Sequence, residues 1–291
     1  MNDFHVIVGI SGSGKNYWTQ SQAALDDVVL DSDETRKILF GDPSIQMEHQ
    51  KVFNYMFQEA HKALSNNQNV WYVATNLTRK HRVNLIKNIR KLHPETKFYC
   101  HIIITPPEIC IARDNARSRI VGEQVIMQQL RKFSMPIMEE GWNGIQCHKN
   151  WDGSPNTYSE ELWKKVADFG AQENPHHTLS LYDHCIECGV HAYRETTDLG
   201  LVVCAIYHDV GKIYTKTYWD DDTNIAHYPN HANVSAYLAL CCGQNYIQAL
   251  LINYHMIFYA NKKDQEIWHA RLGDEIWEKL TLLHKWDEAA H

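Results

Sequence analysis

Over the first half of the chain, short apolar runs alternate with longer stretches whose apolar positions recur at helical spacing. Runs 4–10, 27–30, 70–74 and 97–104 predict strands, and 15–25, 46–65, 79–92, 107–118 and 123–134 predict helices. This alternation predicts an α/β unit, a parallel sheet with helices on both faces. Near 141–158 the texture changes to GWNGIQCHKNWDGSPNTY, collecting Gly, Asn, Trp and Pro, which predicts a linker. Beyond it the pattern is helical over 159–170, 179–195, 198–208, 231–242, 245–259 and 264–286. The expected domains are therefore 1–152 and 158–291, α/β followed by all-α.

Composition leaves that picture intact and narrows it. A chain of 291 residues, 44% hydrophobic and 22% charged, suits two globular domains and excludes a collagen-like, coiled-coil or broadly disordered protein. No apolar stretch is long enough to span a bilayer, and no basic region precedes the first apolar run, so a cytoplasmic protein is expected. Its eight cysteines lack the spacing of a disulfide framework and read as reduced thiols. Charge divides unevenly: residues 1–150 carry 18 Lys and Arg against 15 Asp and Glu, whereas 151–291 carry 10 against 20. The basic half suits nucleic acid; the acidic, His-rich half suits metal ligation.

Gly9-Ile10-Ser11-Gly12-Ser13-Gly14-Lys15 follows an expected strand and precedes an expected helix. In that context Gly9, Gly12, Ser13 and Gly14 let backbone N–H groups wrap the phosphates of ATP, and Lys15 reaches the β and γ phosphates. Asn16 occupies the position that ordinarily carries a Ser or Thr for Mg²⁺; its amide oxygen can serve the ion directly or through water. Asp33 and Arg36 lie three apart after the second strand, where a carboxylate can take a hydroxyl proton and a guanidinium hold a neighbouring phosphate, with Asp31 in reserve. Arg113 and Arg117, with Arg119 two further on, suit a lid over transferring phosphate.

GISGSGKNYW, DSDETRKILFG, ATNLTRKHR and RDNARSR, in this order, resemble the P-loop kinase domain of polynucleotide 5′-hydroxyl kinases found in bacteriophages and nucleic-acid repair enzymes. The resemblance implies that Lys15 binds ATP, Asp33 is the general base, Arg36 holds the acceptor phosphate, Arg117 is the lid arginine beside Arg113, and Thr75, Asn76 and Arg82 form the third motif. The family pattern carries an Asp where this chain has Val73-Ala74 before that Thr. With Asn16, this leaves open a slow kinase, an altered acceptor, or a domain kept for binding. The strip Arg79-Lys80-His81-Arg82, Lys87, Arg90 and Lys91 places Lys80, Lys87 and Lys91 on one helical face, which reads as solvated surface.

The acidic half holds His184, His208-Asp209, His227, His231, His255 and Asp287. Their spacing suits one divalent ion, Mn, Fe, Ni, Co or Mg, with Asp209 able to reach a second. This arrangement, with HHTLSLYDH, HDVGK, YPNHANVSAYLAL and LLHKWDEAAH, resembles the HD phosphohydrolases. By that resemblance His184, His208, Asp209 and Asp287 bind metal, His231 and His255 bind a second metal or the substrate phosphate, and Lys212 lies near the scissile group. His5, His49, His93 and His148 read as ordinary, and Cys185-x-x-Cys188 has no second pair to complete a zinc site. Together the resemblances imply a bifunctional end-healing enzyme acting on RNA or DNA: an ATP- and Mg²⁺-dependent 5′-kinase plus a metal-dependent 3′-phosphatase or 2′,3′-cyclic phosphodiesterase. The alternatives are a hydrolase of free nucleotides with a regulatory P-loop domain, and a P-loop domain that only binds nucleic acid.

Overall fold

The structure, a computed structural model, describes residues 2–42, 48–175, 178–219 and 222–290. They form two compact units: Met1–Gln129 with Pro136–Trp151, and Leu130–Met135 with Asp152–His291. No helix among the described residues is long and apolar enough to cross a membrane.

The first unit runs β1 (Asp3–Val8), α1 (Lys15–Gln22), β2 (Val28–Asp31), α2 (Ser32–Phe40), α3 (His49–Ser65), β3 (Val70–Val73), α4 (Arg79–Leu92), β4 (Lys97–Ile104), α5 (Pro107–Asn115), α6 (Glu123–Lys132) and β5 (Gly144–Lys149). Five strands form one sheet in the order β2-β3-β1-β4-β5, every pairing parallel. Strands β1, β3 and β4 are nearly continuous apolar runs because helices cover them; all four residues of β3 are buried. Parallel order brings the carboxyl ends of β1, β2 and β3 to one edge, where such sheets bind ligands.

The second unit follows with α7 (Pro155–Phe169), α8 (Leu181–Glu195), α9 (Leu199–Tyr207), the antiparallel pair β6 (Thr217–Trp219) and β7 (Asp222–His227), α10 (His231–Cys241), α11 (Tyr246–Tyr254), α12 (Lys262–Leu272) and α13 (Asp274–Ala289). Residues 130–135 pack with it. Phe133 is fully buried with its ring edge-on to Tyr237 at 5.1 Å, and the Met135 N–H donates to Asn253 Oδ1 at 3.1 Å.

The structure departs from the sequence pattern in several places, among them helix α2, which the apolar spacing does not predict. The expected linker contains β5, an edge strand, and the first turn of α7, which Ser154 caps by accepting from the Asn156 N–H with Pro155 at the first helical position. The helical expectation for the second half gains the β6–β7 hairpin. The helix expected over 264–286 divides at Gly273, which sits at φ 82°, outside helical conformation. The helix expected over 245–259 changes after Tyr254 into a 3-10 turn, His255–Tyr259.

Candidate functional site: a phosphate loop and a histidine–aspartate centre

The loop leaving β1 is tied to the end of β3 by the Gly9 N–H, which donates to the Thr75 carbonyl at 3.1 Å. Gly12 sits at φ 82°, and a Cβ there would lie 2.3 Å from the Cys110 carbonyl oxygen, so no larger residue fits. Arg113 braces the loop from outside: its guanidinium donates to the Gly12 carbonyl at 3.4 Å and the Asn150 carbonyl at 3.0 Å. Lys15 starts α1 and donates from Nζ to the Ile10 carbonyl at 2.9 Å; burial lowers its ammonium to about 8, against the pull of Asp31 and Asp33. Ser13 Oγ is buried with no hydrogen-bond partner among the described residues. A lysine held over a helix start and an unsatisfied hydroxyl within the loop fit a nucleotide phosphate with its Mg²⁺.

Beside the loop opens a cleft of about 480 Å³, lined by Asn16, Asp31, Asp33, Lys37, Arg117 and Arg119 among others. Asp31 ends β2 and caps α2, its Oδ1 accepting from the N–H groups of Asp33 at 2.9 Å and Glu34 at 2.8 Å, while burial raises its carboxyl. Two residues on, Asp33 is half-exposed and free of that duty. Arg36 is buried, with Nη1 on the Ser32 carbonyl at 2.9 Å and on Asp33 at 3.1 Å, and Nη2 against His49 Nδ1 at 3.1 Å. His49, read from sequence as ordinary, thus orients Arg36. Arg117 pairs with Asp114 at 2.9 Å and faces the cleft.

Two third-motif residues stand elsewhere than expected. Arg82 is 0% exposed, its guanidinium donating to both oxygens of Glu140 at 2.7 Å and to the Asn76 and Leu77 carbonyls at 3.1 and 2.9 Å, bonds that shape the loop. Asn76 sits at φ 47° and spends its Nδ2 on the Ile7 carbonyl at 2.8 Å, clamping β3's end to β1. Thr75 is half-buried beside them.

In the second unit, α8 supplies His184, the end of α9 supplies His208 and Asp209, and α13 supplies Asp287. α10 opens with His231, and His255 follows α11. A Cβ on Gly211 would lie 2.4 Å from the His231 carbonyl oxygen, and its N–H donates to Ser235 Oγ at 2.8 Å; this close approach brings α10 to Asp209. Each imidazole spends Nδ1 on a carbonyl: His184 on Ala290 at 2.8 Å, His208 on Ala205 at 2.7 Å, His231 on Tyr228 at 2.8 Å and His255 on Ile252 at 2.8 Å. A carbonyl only accepts, so each Nδ1 carries a proton and Nε2 is the nitrogen that offers a lone pair whenever the ring is neutral.

Those lone pairs face one another and the carboxylates. His184 and His208 Nε2 are 3.2 Å apart, His208 Nε2 is 3.1 Å from Asp287 Oδ1, and His231 and His255 Nε2 are 3.3 Å apart. Asp209 divides its oxygens: Oδ2 lies 3.3 Å from His184 and 3.4 Å from His208, while Oδ1 lies 3.0 Å from His231 and 3.7 Å from His255. Oδ1 is buried with no oriented hydrogen bond among the described residues. Acceptors packed against acceptors call for positive charge. Burial works against it, yet Asp209 and Asp287 hold the His208 imidazole well above its usual range. His184, His208, Asp209 and Asp287 can hold one ion, and Asp209, His231 and His255 a second. The set thus fits a divalent metal.

Lys212 Nζ reaches Asp209 Oδ2 at 2.6 Å and Gln172 Oε1 at 2.7 Å. Nothing in the sequence signals Gln172, which lies 40 positions away. His227 stacks on Trp219 at 3.7 Å and belongs to neither group, and His177 lies outside the described residues. Cys185 and Cys188 are buried and join no candidate metal group among the described residues; burial pushes the Cys185 thiol up to about 12.

Residues 4–136 match the family model of an AAA domain and residues 181–288 that of an HD domain. No curated protein matches the sequence. Similar solved structures include the Pnkp1/Rnl/Hen1 RNA repair complex (17% identity, TM-score 0.38, 45% of this chain and 43% of that one). Others are a putative kinase from Chloroflexus aurantiacus (14%, TM-score 0.41, 51% and 85%) and a gluconokinase from Sinorhizobium meliloti (17%, TM-score 0.35, 52% and 84%). The chain spans less than half the length of the repair-complex chain. A phosphate loop at the carboxyl edge of a parallel sheet, and a His-Asp pair at the centre of a helical unit, each fall inside the matching stretch: this chain joins an AAA-type P-loop domain to an HD domain.

Proposed function

We propose that the protein heals nucleic-acid ends, transferring phosphate from ATP to a 5′-hydroxyl in its first unit and hydrolysing a 3′-phosphate or 2′,3′-cyclic phosphate in its second. The observation that carries the kinase half is the placement of Asp33 in a cleft it shares with Asn16, Arg117 and Arg119, with the buried Arg36 on its carboxylate at 3.1 Å. Lys15 holds the β and γ phosphates, Asp33 takes the proton of the attacking hydroxyl, Arg36 holds the acceptor's adjacent phosphate and Arg117 neutralises the phosphate in transfer. Asn16 would help to hold a Mg²⁺, which would supply charge neutralisation on the nucleotide.

In the second unit the convergent lone pairs support hydrolysis. His184, His208, Asp209 and Asp287 would hold a divalent ion, which would supply acidification of a water and neutralisation of phosphate charge. Asp209 orients the reacting groups from both sides, Lys212 holds a phosphate oxygen, and His231 and His255 bind either the second ion or the phosphate.

Incubating the protein with [γ-³²P]ATP and a 5′-OH oligonucleotide, beside one bearing a 3′-phosphate or cyclic phosphate, tests both halves. Label on the first and phosphate loss from the second are expected; hydrolysis of free nucleotides alone would leave the reading wrong.

A further inference from the structure

The longest stretch of the first unit without a carboxylate is residues 60–94, bounded by Glu59 and Glu95, and it carries seven Lys and Arg. Six of them lie on α4. They divide by task. Arg82 is buried on Glu140, Arg79 pairs with Glu139, and Arg90 lies over the Phe98 ring at 5.0 Å while donating to the Gly141 carbonyl at 2.7 Å. Those contacts consume Glu139 and Glu140, the carboxylates nearest the helix in its ion pairs. Lys80, Lys87 and Lys91 remain exposed, and none has an ion pair among the described residues.

Their positions follow helical geometry. Lys80, Asn84, Lys87 and Lys91 succeed one another at four, three and four residues, the spacing of one stripe, and at ~1.5 Å rise per residue the stripe is ~16 Å long. It begins at the loop Thr75–Thr78 that meets the phosphate loop through Gly9, and runs away from that edge down the outside of the sheet. The floor beside it is a groove of about 330 Å³ lined by Val83, Ile86, Lys87, Arg90, Lys91 and Glu140. A row of unpaired ammonium groups leading from a phosphate site suits a repeating anion.

We propose that this face of α4 is a docking strip for the sugar–phosphate backbone of a single-stranded nucleic acid, holding the body of the strand whose end enters the cleft. The placement of the end rests on the kinase reading above; the backbone contact itself does not. Three phosphate-facing lysines displace about three counterions, so they contribute about 2 to the slope of log affinity against log salt, at about 0.7 per contact.

The test is a salt titration of the full-length protein against a fluorescein-labelled 20-nucleotide single strand, read by anisotropy. The triple variant Lys80→Gln, Lys87→Gln, Lys91→Gln is expected to flatten the slope by about 2, and the matching Lys→Arg triple to restore it. An unchanged slope, equal loss in the Arg triple, or no salt-dependent binding by the unaltered protein overturns the proposal. So does lysine-dependent binding to phosphatidylserine vesicles in place of the strand. If the slopes behave as expected while no phosphate reaches a 5′-OH, the strip stands and the kinase reading alone fails.

Discussion

Arg119 places its guanidinium 3.0 Å from Asp33 Oδ1, the same oxygen that Arg36 contacts at 3.1 Å. Two arginines converging on one carboxylate fix its direction toward the cleft and leave Oδ2 for a hydroxyl. Asp33→Ala is therefore expected to slow 5′-phosphorylation by roughly 10²–10⁴, about 3–5 kcal/mol of barrier. Steady-state rates on a 5′-OH oligonucleotide read this directly, and a loss below threefold would move the base to Asp31.

Lys15 supplies a pH signature. Its ammonium titrates at about 8 in the free protein because burial disfavours the charge. Below that pH the charge is already present and ATP affinity is level; above it, binding must take up a proton. Affinity is then expected to fall by up to about tenfold per pH unit. Calorimetry in two buffers of different ionisation enthalpy measures the uptake, and Lys15→Ala should abolish both the pH dependence and transfer while the second unit's hydrolysis persists.

Asp209 belongs to both histidine groups, whereas His255 belongs to one. Chelation should stop hydrolysis, with Mn²⁺, Ni²⁺ or Co²⁺ restoring it, and should lower the melting temperature, since an ion at 100 times its Kd contributes about 2.7 kcal/mol. Elemental analysis should find Asp209→Ala stripped at both positions and His255→Ala at one. Wild-type metal content in Asp209→Ala would contradict the shared-carboxylate arrangement.

Arg82 and Glu140 form a fully buried pair. Arg82→Ala leaves Glu140 buried without its partner and is expected to cost about 3–5 kcal/mol of stability. Urea titration checks this: a well-folded variant with only a weakened acceptor KM would return Arg82 to the role its motif implied.

The two centres were legible in sequence to different depths. The phosphate loop and the His-Asp pair stood out because each concentrates its chemistry in adjacent residues. Asn150, whose side-chain Nδ2 donates to the Ser13 carbonyl of the phosphate loop, and Gln172, which holds Lys212, carry no local signal because their partners arrive through the fold. Arg82 and Asn76 are buried and bonded to backbone carbonyls, which the sequence hides for a related reason: motif position does not reveal burial. β5 escaped because GIQCHK is a half-exposed edge strand without an apolar run, set amid Gly, Asn and Trp. The helical reading of 264–286 passed over Gly273 because one glycine in a periodic stretch leaves the period intact.

The boundary between the two units falls inside α6, between Gln129 and Leu130. A gene fragment starting at residue 152 would therefore omit residues 130–135. It would open the slot that Phe133 fills against Tyr237 and strip Asn253 and the Tyr254 hydroxyl of their bonds to Met135. Losing a buried phenylalanine alone costs about 3–5 kcal/mol, so such a fragment should emerge as an aggregation-prone product whose inactivity says nothing about its catalytic residues. Separating the two activities genetically therefore calls for point substitutions in the whole chain.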